Sequence, residues 1–262
     1  MNSLEMLGEY SSSSDEESIS ISKTNTASSQ KSKLVVPDAI CALYATEQTE
    51  HNDPTKHQGR VRSFQHVKGN WATFLYIPYP NPHCNELRSY VEDLLQFQGL
   101  DHWKIVDDFH LSVSRTSAIP HHFIEPLVEG IQGCAQKLSP VILNFSCDLK
   151  FYVNDEKTRS FCGFEVTSPF ILAKLQTLVD HINKPLKDYK CDSYYENPSF
   201  HISISWTLGN IFEQNWKKQL EIFQTHWSEV FIESPELFSF EANNLVCKCG
   251  NRLFTFEISY KS

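Results

Sequence analysis

One six-residue pattern occurs twice in this chain. Residues 109–114 read Phe-His-Leu-Ser-Val-Ser, and residues 200–205 read Phe-His-Ile-Ser-Ile-Ser. Polar and apolar residues alternate strictly in both, a period of two that fits a strand and no helix. In a strand, His110, Ser112 and Ser114 share one face, while Leu111 and Val113 share the other. The same division separates His201, Ser203 and Ser205 from Ile202 and Ile204. Any fold for this chain must therefore hold two strands with an aliphatic face on a core and a His/Ser face on something polar. A repeat at this separation also predicts two related halves.

The surrounding sequence supplies the other elements. The run over 71–77 closes at Pro78 and predicts a strand. Pro82 opens a helix with Leu87, Tyr90, Val91, Leu94 and Leu95 on one side. A second helix starts near Pro120 and carries Phe123, Ile124, Leu127, Val128 and Ile131. Strands are predicted over 141–153 and 161–167, joined by a turn at 154–159. Ser168 and Pro169 form an N-cap and first-turn pair. The helix that follows bears Ile171, Leu172, Leu175, Leu178, Val179 and Ile182. Asn210 is predicted to cap a helix holding Ile211, Phe212, Trp216, Leu220 and Phe223, and strands over 237–246 and 252–259 finish the chain. The reading is an α+β fold of two pseudo-symmetric lobes, each an antiparallel sheet with flanking helices, with a catalytic cleft between them. No GxGxxG or GxxxxGK[ST] sequence is present, which argues against dinucleotide and P-loop folds.

The first 58 residues differ in kind. They hold a serine run, an acidic triplet (Asp15, Glu16, Glu17) and more than half of the chain's net charge of −9. Such a stretch cannot bury enough apolar area to fold, and it reads as an acidic, serine-rich, disordered tail before a domain over 59–262. The N-terminus has neither the basic nor the apolar region of a secretory signal, and no apolar run is long enough for a membrane helix. The chain is thus expected to be soluble, intracellular and free of membrane contact. Its eight cysteines read as free thiols, with only Cys247 and Cys249 close together. An acidic surface is also wrong for gripping long duplex nucleic acid through many phosphates.

Two histidines and several hydroxyls brought to one place have a definite chemical use. An ordinary imidazole titrates near pH 6.5, so one ring can be neutral while the other is protonated. The neutral ring removes a proton from an attacking hydroxyl, and the charged ring gives one to a leaving oxygen. Serine hydroxyls donate to the non-bridging phosphate oxygens as charge builds there. This is phosphodiester cleavage without a metal or other cofactor. A lone His in a strand is more often a core or surface residue, so the argument rests on the duplication.

At these residues the sequence resembles the 2H phosphoesterase superfamily, whose two lobes each supply one H-x-[ST]-x signature. Within it, the chain is similar to the U6 small nuclear RNA phosphodiesterase family. Gly59-Arg60-Val61-Arg62-Ser63-Phe64, His66 and Gly69-Asn70-Trp71-Ala72-Thr73 match that family's opening. Glu156-Lys157-Thr158-Arg159 with Phe161 matches its central turn, and Tyr195 with Pro198-Ser199-Phe200-His201 matches the approach to its second histidine.

The resemblance implies a metal-independent 3′→5′ RNA exonuclease that trims the oligouridine end of U6 RNA. It would leave a 2′,3′-cyclic phosphate or a monophosphate, act as a monomer and reside in the nucleus. It implies His110 as proton acceptor, His201 as proton donor, and Ser112 and Ser203 as phosphate ligands. Tyr195 becomes a base-stacking residue, and Leu111, Asp155, Ser199, Phe200 and Ile202 join the substrate-binding set. The chain departs from the family at Asp155, where the family carries glutamine; a carboxylate still accepts a uracil N3–H but repels phosphate. Lys150, Lys157 and Arg159 offer a small basic footprint near the turn.

Three other readings remain open from the residues alone. One is a 2H enzyme acting on small cyclic phosphates or 2′-5′ linkages, which a substrate panel separates. The second is an RNA 3′-end binding module without turnover, against which stand the intact His and Ser pairs. The third is a metal hydrolase built on His110 and His201, which the sequence provides with no carboxylate cluster.

Overall fold

The computed structural model describes residues 58–59, 67–97 and 99–258. The predicted tail up to residue 57 (Cys41 included), His66 and the 60–66 part of the opening motif lie outside the described residues. The described chain belongs to one compact unit.

The elements follow in chain order. Strand β1 spans Asn70–Pro78 and helix α1 Asn81–Phe97; β2 is Lys104–Ile105, β3 His110–Ser112 and β4 Ser117–Pro120. Helix α2 is Ile124–Ala135, β5 Val141–Val153, β6 Arg159–Val166 and α3 Pro169–Asp188. Then come β7 (His201–Leu208), α4 (Trp216–Glu233), β8 (Ser239–Ala242), β9 (Asn244–Cys249) and β10 (Arg252–Glu257). Every strand pairing is antiparallel.

The main strand order is β10-β9-β1-β3-β7-β6-β5-β8, with β2 also paired to β7 and β4 to β1. The order divides into two four-strand halves that meet at β3 and β7. Their single registered pair is Leu111 opposite Ile202, the same position in the two hexapeptides. A local twofold relation therefore runs through this pair, and the repeat in sequence becomes a pseudo-symmetry in space. Helix α4 packs on β5 and meets α1, while α2 packs on β9 and β10 and meets α3.

Burial holds the register. Leu111 is 0% exposed and Ile202 1%, and both belong to the core with Leu75, Ile77 and Phe164. A slip by one residue would expose both aliphatics, each worth about 1.5–3 kcal/mol when buried, and would bury imidazoles in their place.

Several boundaries differ from the sequence reading. The strand predicted over 109–114 runs only from His110 to Ser112. Ser114 turns inward, where its hydroxyl accepts from the Leu75 amide at 2.8 Å and donates to the Arg115 carbonyl at 3.0 Å. Ser168 does occupy the N-cap position before Pro169, but its side chain makes no capping bond. Asn210 caps only a short 3-10 turn, accepting from Phe212 N at 3.2 Å, and α4 begins afterwards at Trp216. The strand predicted over 237–246 is instead a 3-10 turn followed by β8 and the start of β9.

Candidate active site

Continuing the Leu111–Ile202 register sets His110 opposite Ser203 and Ser112 opposite His201. All four side chains lie on the face away from the core, and all four are half-buried. Directly opposed antiparallel residues have Cβ atoms about 4.5–5.5 Å apart, and diagonal ones about 7–8 Å. The two imidazoles are the diagonal pair, a spacing that leaves room for one phosphate. The two motifs are thus hydrogen-bonded neighbours in a sheet. Among the described residues neither the Ser112 nor the Ser203 hydroxyl has a hydrogen-bond partner, so both can donate to an anion.

The rings are held in the same way. His110 Nδ1 lies 2.8 Å from the Asp108 carbonyl oxygen, and His201 Nδ1 lies 2.7 Å from the Ser199 carbonyl oxygen. A carbonyl only accepts, so each Nδ1 carries the proton and each neutral ring keeps its lone pair on Nε2. Burial pushes both rings below the ordinary histidine value. For His110 the Asp108 carbonyl and carboxylate oppose this and Lys248 adds to it. For His201 the Ser199 carbonyl and Glu165 oppose it, while His110 adds to it.

Around the rings the halves differ. Tyr76 on β1 stands beside Ser112 and leans on His110, with ring centroids 4.8 Å apart and planes at 51°. The corresponding place beside Ser203 is Gly163. A Cβ there would sit 2.3 Å from the Ile202 carbonyl oxygen, so only glycine fits. Tyr152 reaches across from β5 and stacks on His201 at 3.9 Å and 10°. Ser199 donates to Glu165 Oε1 at 2.6 Å, its hydroxyl oxygen lies 3.3 Å from the Tyr152 hydroxyl, and Lys150 pairs with Glu165.

A cavity of about 450 Å³ opens beside Ser112, lined also by Arg115, Asn154, Asp155, Arg159, Phe161 and Tyr195. Arg115 forms an ion pair with Asp155, and its guanidinium lies over the Tyr195 ring at 4.6 Å. The Tyr195 hydroxyl donates to Asp155 Oδ2 at 3.4 Å. The turn carrying Asp155 is tied by Asn154, whose Oδ1 accepts from Thr158 N at 2.9 Å and Arg159 N at 2.8 Å.

Three comparisons bear on this arrangement. The family described as "HVSL: Uncharacterised conserved protein" matches residues 34–257, beginning upstream of the Gly59 boundary drawn from sequence. U6 snRNA phosphodiesterase 1 of Mus musculus is 33% identical over 229 residues, covering 86% of this chain and 84% of that protein. The Xenopus laevis protein of the same name is 34% identical over 208 residues, covering 78% and 80%. The chain belongs to the U6 snRNA phosphodiesterase family. Among solved structures, Kluyveromyces marxianus Usb1 aligns at 14% identity with a TM-score of 0.48, over 72% of this chain and 98% of that one.

The remaining residues of the sequence reading fall into two groups. Tyr195 is 43% exposed and stands at the cavity with Asp155, so both can meet a ligand. The side chains of Leu111, Ile202 and Phe200 point into the core, Phe200 being 2% exposed, which leaves only their backbones for a ligand. Ser199 is engaged by Glu165 and Tyr152, and its carbonyl holds His201. Ser205 does not line the site. A bulge where Cys162 faces Ser205 but Gly163 faces Ser203 inserts Ile204, reverses the alternation and leaves Ser205 0% exposed.

Sequence reasoning missed Arg115, Tyr152 and Glu165. The positive charge of Arg115 offsets the repulsion anticipated from Asp155. Of the anticipated basic footprint, Lys150 is paired to Glu165 and Arg159 lies over Phe161 at 5.4 Å. The described cysteines are free, with Cys247 and Cys249 Sγ 3.7 Å apart. No helix among the described residues is long and apolar enough to cross a membrane.

Proposed function

We propose that this chain is a 3′→5′ RNA exonuclease that trims the uridine-rich 3′ end of U6 small nuclear RNA by internal transesterification. The observation that carries the reading is the twofold-related quartet of His110, Ser112, His201 and Ser203, with both Nδ1 atoms tied to carbonyls. Family membership supplies the substrate, and nuclear placement follows from it.

The step needs no metal. The 2′-hydroxyl of the penultimate nucleotide attacks the adjacent phosphorus, and His110 Nε2 takes its proton. The P–O5′ bond breaks, and the departing O5′ receives a proton from Nε2 of protonated His201. The products are a terminal nucleoside and an RNA ending in a 2′,3′-cyclic phosphate. The Ser112 and Ser203 hydroxyls donate to the non-bridging oxygens, whose charge grows in the transition state. A bound phosphate anion also raises both imidazoles, offsetting the burial that lowers them in the free site.

The terminal nucleotide occupies the cavity beside Ser112, whose volume suits a small ligand. Tyr195 provides an aromatic surface for the base. Asp155 Oδ1 is left to accept a base N–H, because Oδ2 serves Arg115 and Tyr195.

The test is digestion of an RNA ending in uridines, with chelator present, followed by mass analysis of the new end. Loss of the terminal nucleoside first and of nucleoside 2′,3′-cyclic phosphates in later rounds, each leaving a cyclic phosphate end, is expected, and a 2′-deoxy sugar at the penultimate position should stop the first round. Normal cutting of the deoxy substrate would remove the 2′-hydroxyl as nucleophile.

A further inference from the structure

We propose that Glu165 is the positioning residue that makes His201, rather than His110, the proton donor to the leaving oxygen. The inference rests on the transesterification reading above and adds to it the origin of the asymmetry between two rings that the fold makes nearly equivalent.

In the β6–β7 register Glu165 stands directly opposite His201. In the β1–β3 register the residue opposite His110 is Pro78, which carries no charge. The one carboxylate on a strand flanking either ring therefore belongs to the second half. It is held in place by the 2.6 Å bond from Ser199 and the pair with Lys150. Ser199 performs two tasks at once, since its carbonyl also takes the His201 Nδ1 proton. Glu165 and the His201 ring are thus fixed through a single residue.

The groups facing each ring decide the sign. Around His201 stand Glu165 on β6, Lys150 and Tyr152 on β5, Ser199 before β7 and His110 on β3. Lys150 is engaged by Glu165, and Tyr152 presents its ring face, which attracts an imidazolium. Around His110 stand Tyr76 on β1, Lys248 on β9, Asp108 before β3, and His201. Lys248 lies 3.9 Å from Asp108, whose side chain is 71% exposed, so water screens that carboxylate. Glu165 is 16% exposed and acts through a medium that screens it less. Burial alone would raise the Glu165 carboxyl, but bonds from Lys150 and Ser199, and His201 nearby, bring it below its usual value. It stays ionised, favours the charged form of His201, and leaves His110 as the ring that is neutral and basic.

A leaving group that needs no proton provides the test. In an RNA whose terminal 5′ bridging oxygen is replaced by sulfur, the thiolate departs unprotonated, and the donor becomes dispensable. Glu165→Gln should lower kcat on the oxygen substrate by at least about tenfold, part of the 10²–10⁴-fold that a positioned acid supplies. On the sulfur substrate the variant should come close to wild type. His201→Ala should be restored by sulfur in the same way, and His110→Ala should not.

Equal slowing of Glu165→Gln on both substrates, no slowing on the oxygen substrate, or rescue of His110→Ala in place of His201→Ala would each overturn the proposal. Wild type that cuts neither RNA would remove the underlying reading as well. Histidine titration by NMR keeps the question open to a direct answer whatever the activity. In Glu165→Gln the His201 pKa should fall while that of His110 stays, and an unchanged His201 would refute the idea.

Discussion

The two halves of this molecule carry the same His-x-Ser strand, yet they surround it differently. In the first half an aromatic ring comes from the adjacent strand, Tyr76, and leans on His110 at a tilt. In the second half the adjacent strand has Gly163, and the ring arrives from one strand further away, Tyr152, flat on His201. The first half offers Pro78 opposite its histidine and the second offers Glu165. A symmetric backbone thus brings two imidazoles to one cleft, and in the proposed reaction unequal neighbours give them unequal work. The proposed reaction uses both properties, because a base and an acid act on opposite sides of the same phosphorus in it.

The comparison is most sharply broken at the rings themselves. His110→Ala and His201→Ala should each slow cleavage by about 10²–10⁴-fold, measured as kcat on a uridine-ended RNA. If one variant kept wild-type turnover, the half containing it would be a scaffold only. Ser112→Ala and Ser203→Ala come next. Each loses a hydrogen bond to a charged oxygen, worth about 1.5–3 kcal/mol, and so roughly 10- to 100-fold in kcat/KM. Similar losses are expected from the two serines, since their positions are related by the twofold.

Gly163→Ala should affect stability in a way that no change at its counterpart, Tyr76, reproduces. The added methyl meets the Ile202 carbonyl oxygen at 2.3 Å. Forced backbone shifts of this kind cost about 1–3 kcal/mol, readable as a lower denaturant midpoint. Tyr76→Phe keeps the ring and should leave that midpoint in place.

The smallest effect is on pH. Both histidines are pushed below the ordinary 6.5 by burial. As pH falls through 6.5 the unfolded chain takes up protons that the folded chain refuses, so stability drops until the lowered folded values are reached. Above 6.5 the two states bind protons alike and the effect vanishes. Replacing both rings with asparagine should flatten stability against pH in that acidic window alone, by denaturation at several pH values.

Much of the fold was legible in advance where one physical signal dominated. The 141–153 strand, the helices over 81–97 and 169–188, and the α+β class follow from periodicity and proline placement. The signal failed where tertiary contacts override the local pattern. Residues 109–114 alternate to the end, but Ser114 finds the Leu75 amide and leaves the strand. Residues 200–205 alternate too, but the bulge at Ile204 takes Ser205 inside. His110, Ser112, His201 and Ser203 were legible because each motif carries its own pairing of face and chemistry. Glu165 and Tyr152 were not, because nothing near them in sequence marks them, and Arg115 was not, because its partners Asp155 and Tyr195 are remote in sequence.

From the chain alone came the repeated strand, the two-lobed α+β architecture, and the pairs of imidazole and hydroxyl that form the candidate site. A period-two pattern is local, and local sterics enforce it wherever the strand lies. Tertiary structure alone decided that the two strands pair at Leu111 and Ile202, that a glycine lets β6 approach the Ile202 carbonyl, and that Tyr152 stacks on His201. It also decided that a shielded carboxylate, Glu165, stands opposite one ring, while the other faces Pro78 and has only the exposed Asp108 nearby. Those facts depend on strand register and on the distances between remote side chains, and electrostatic coupling follows distance in space, whatever the separation along the chain.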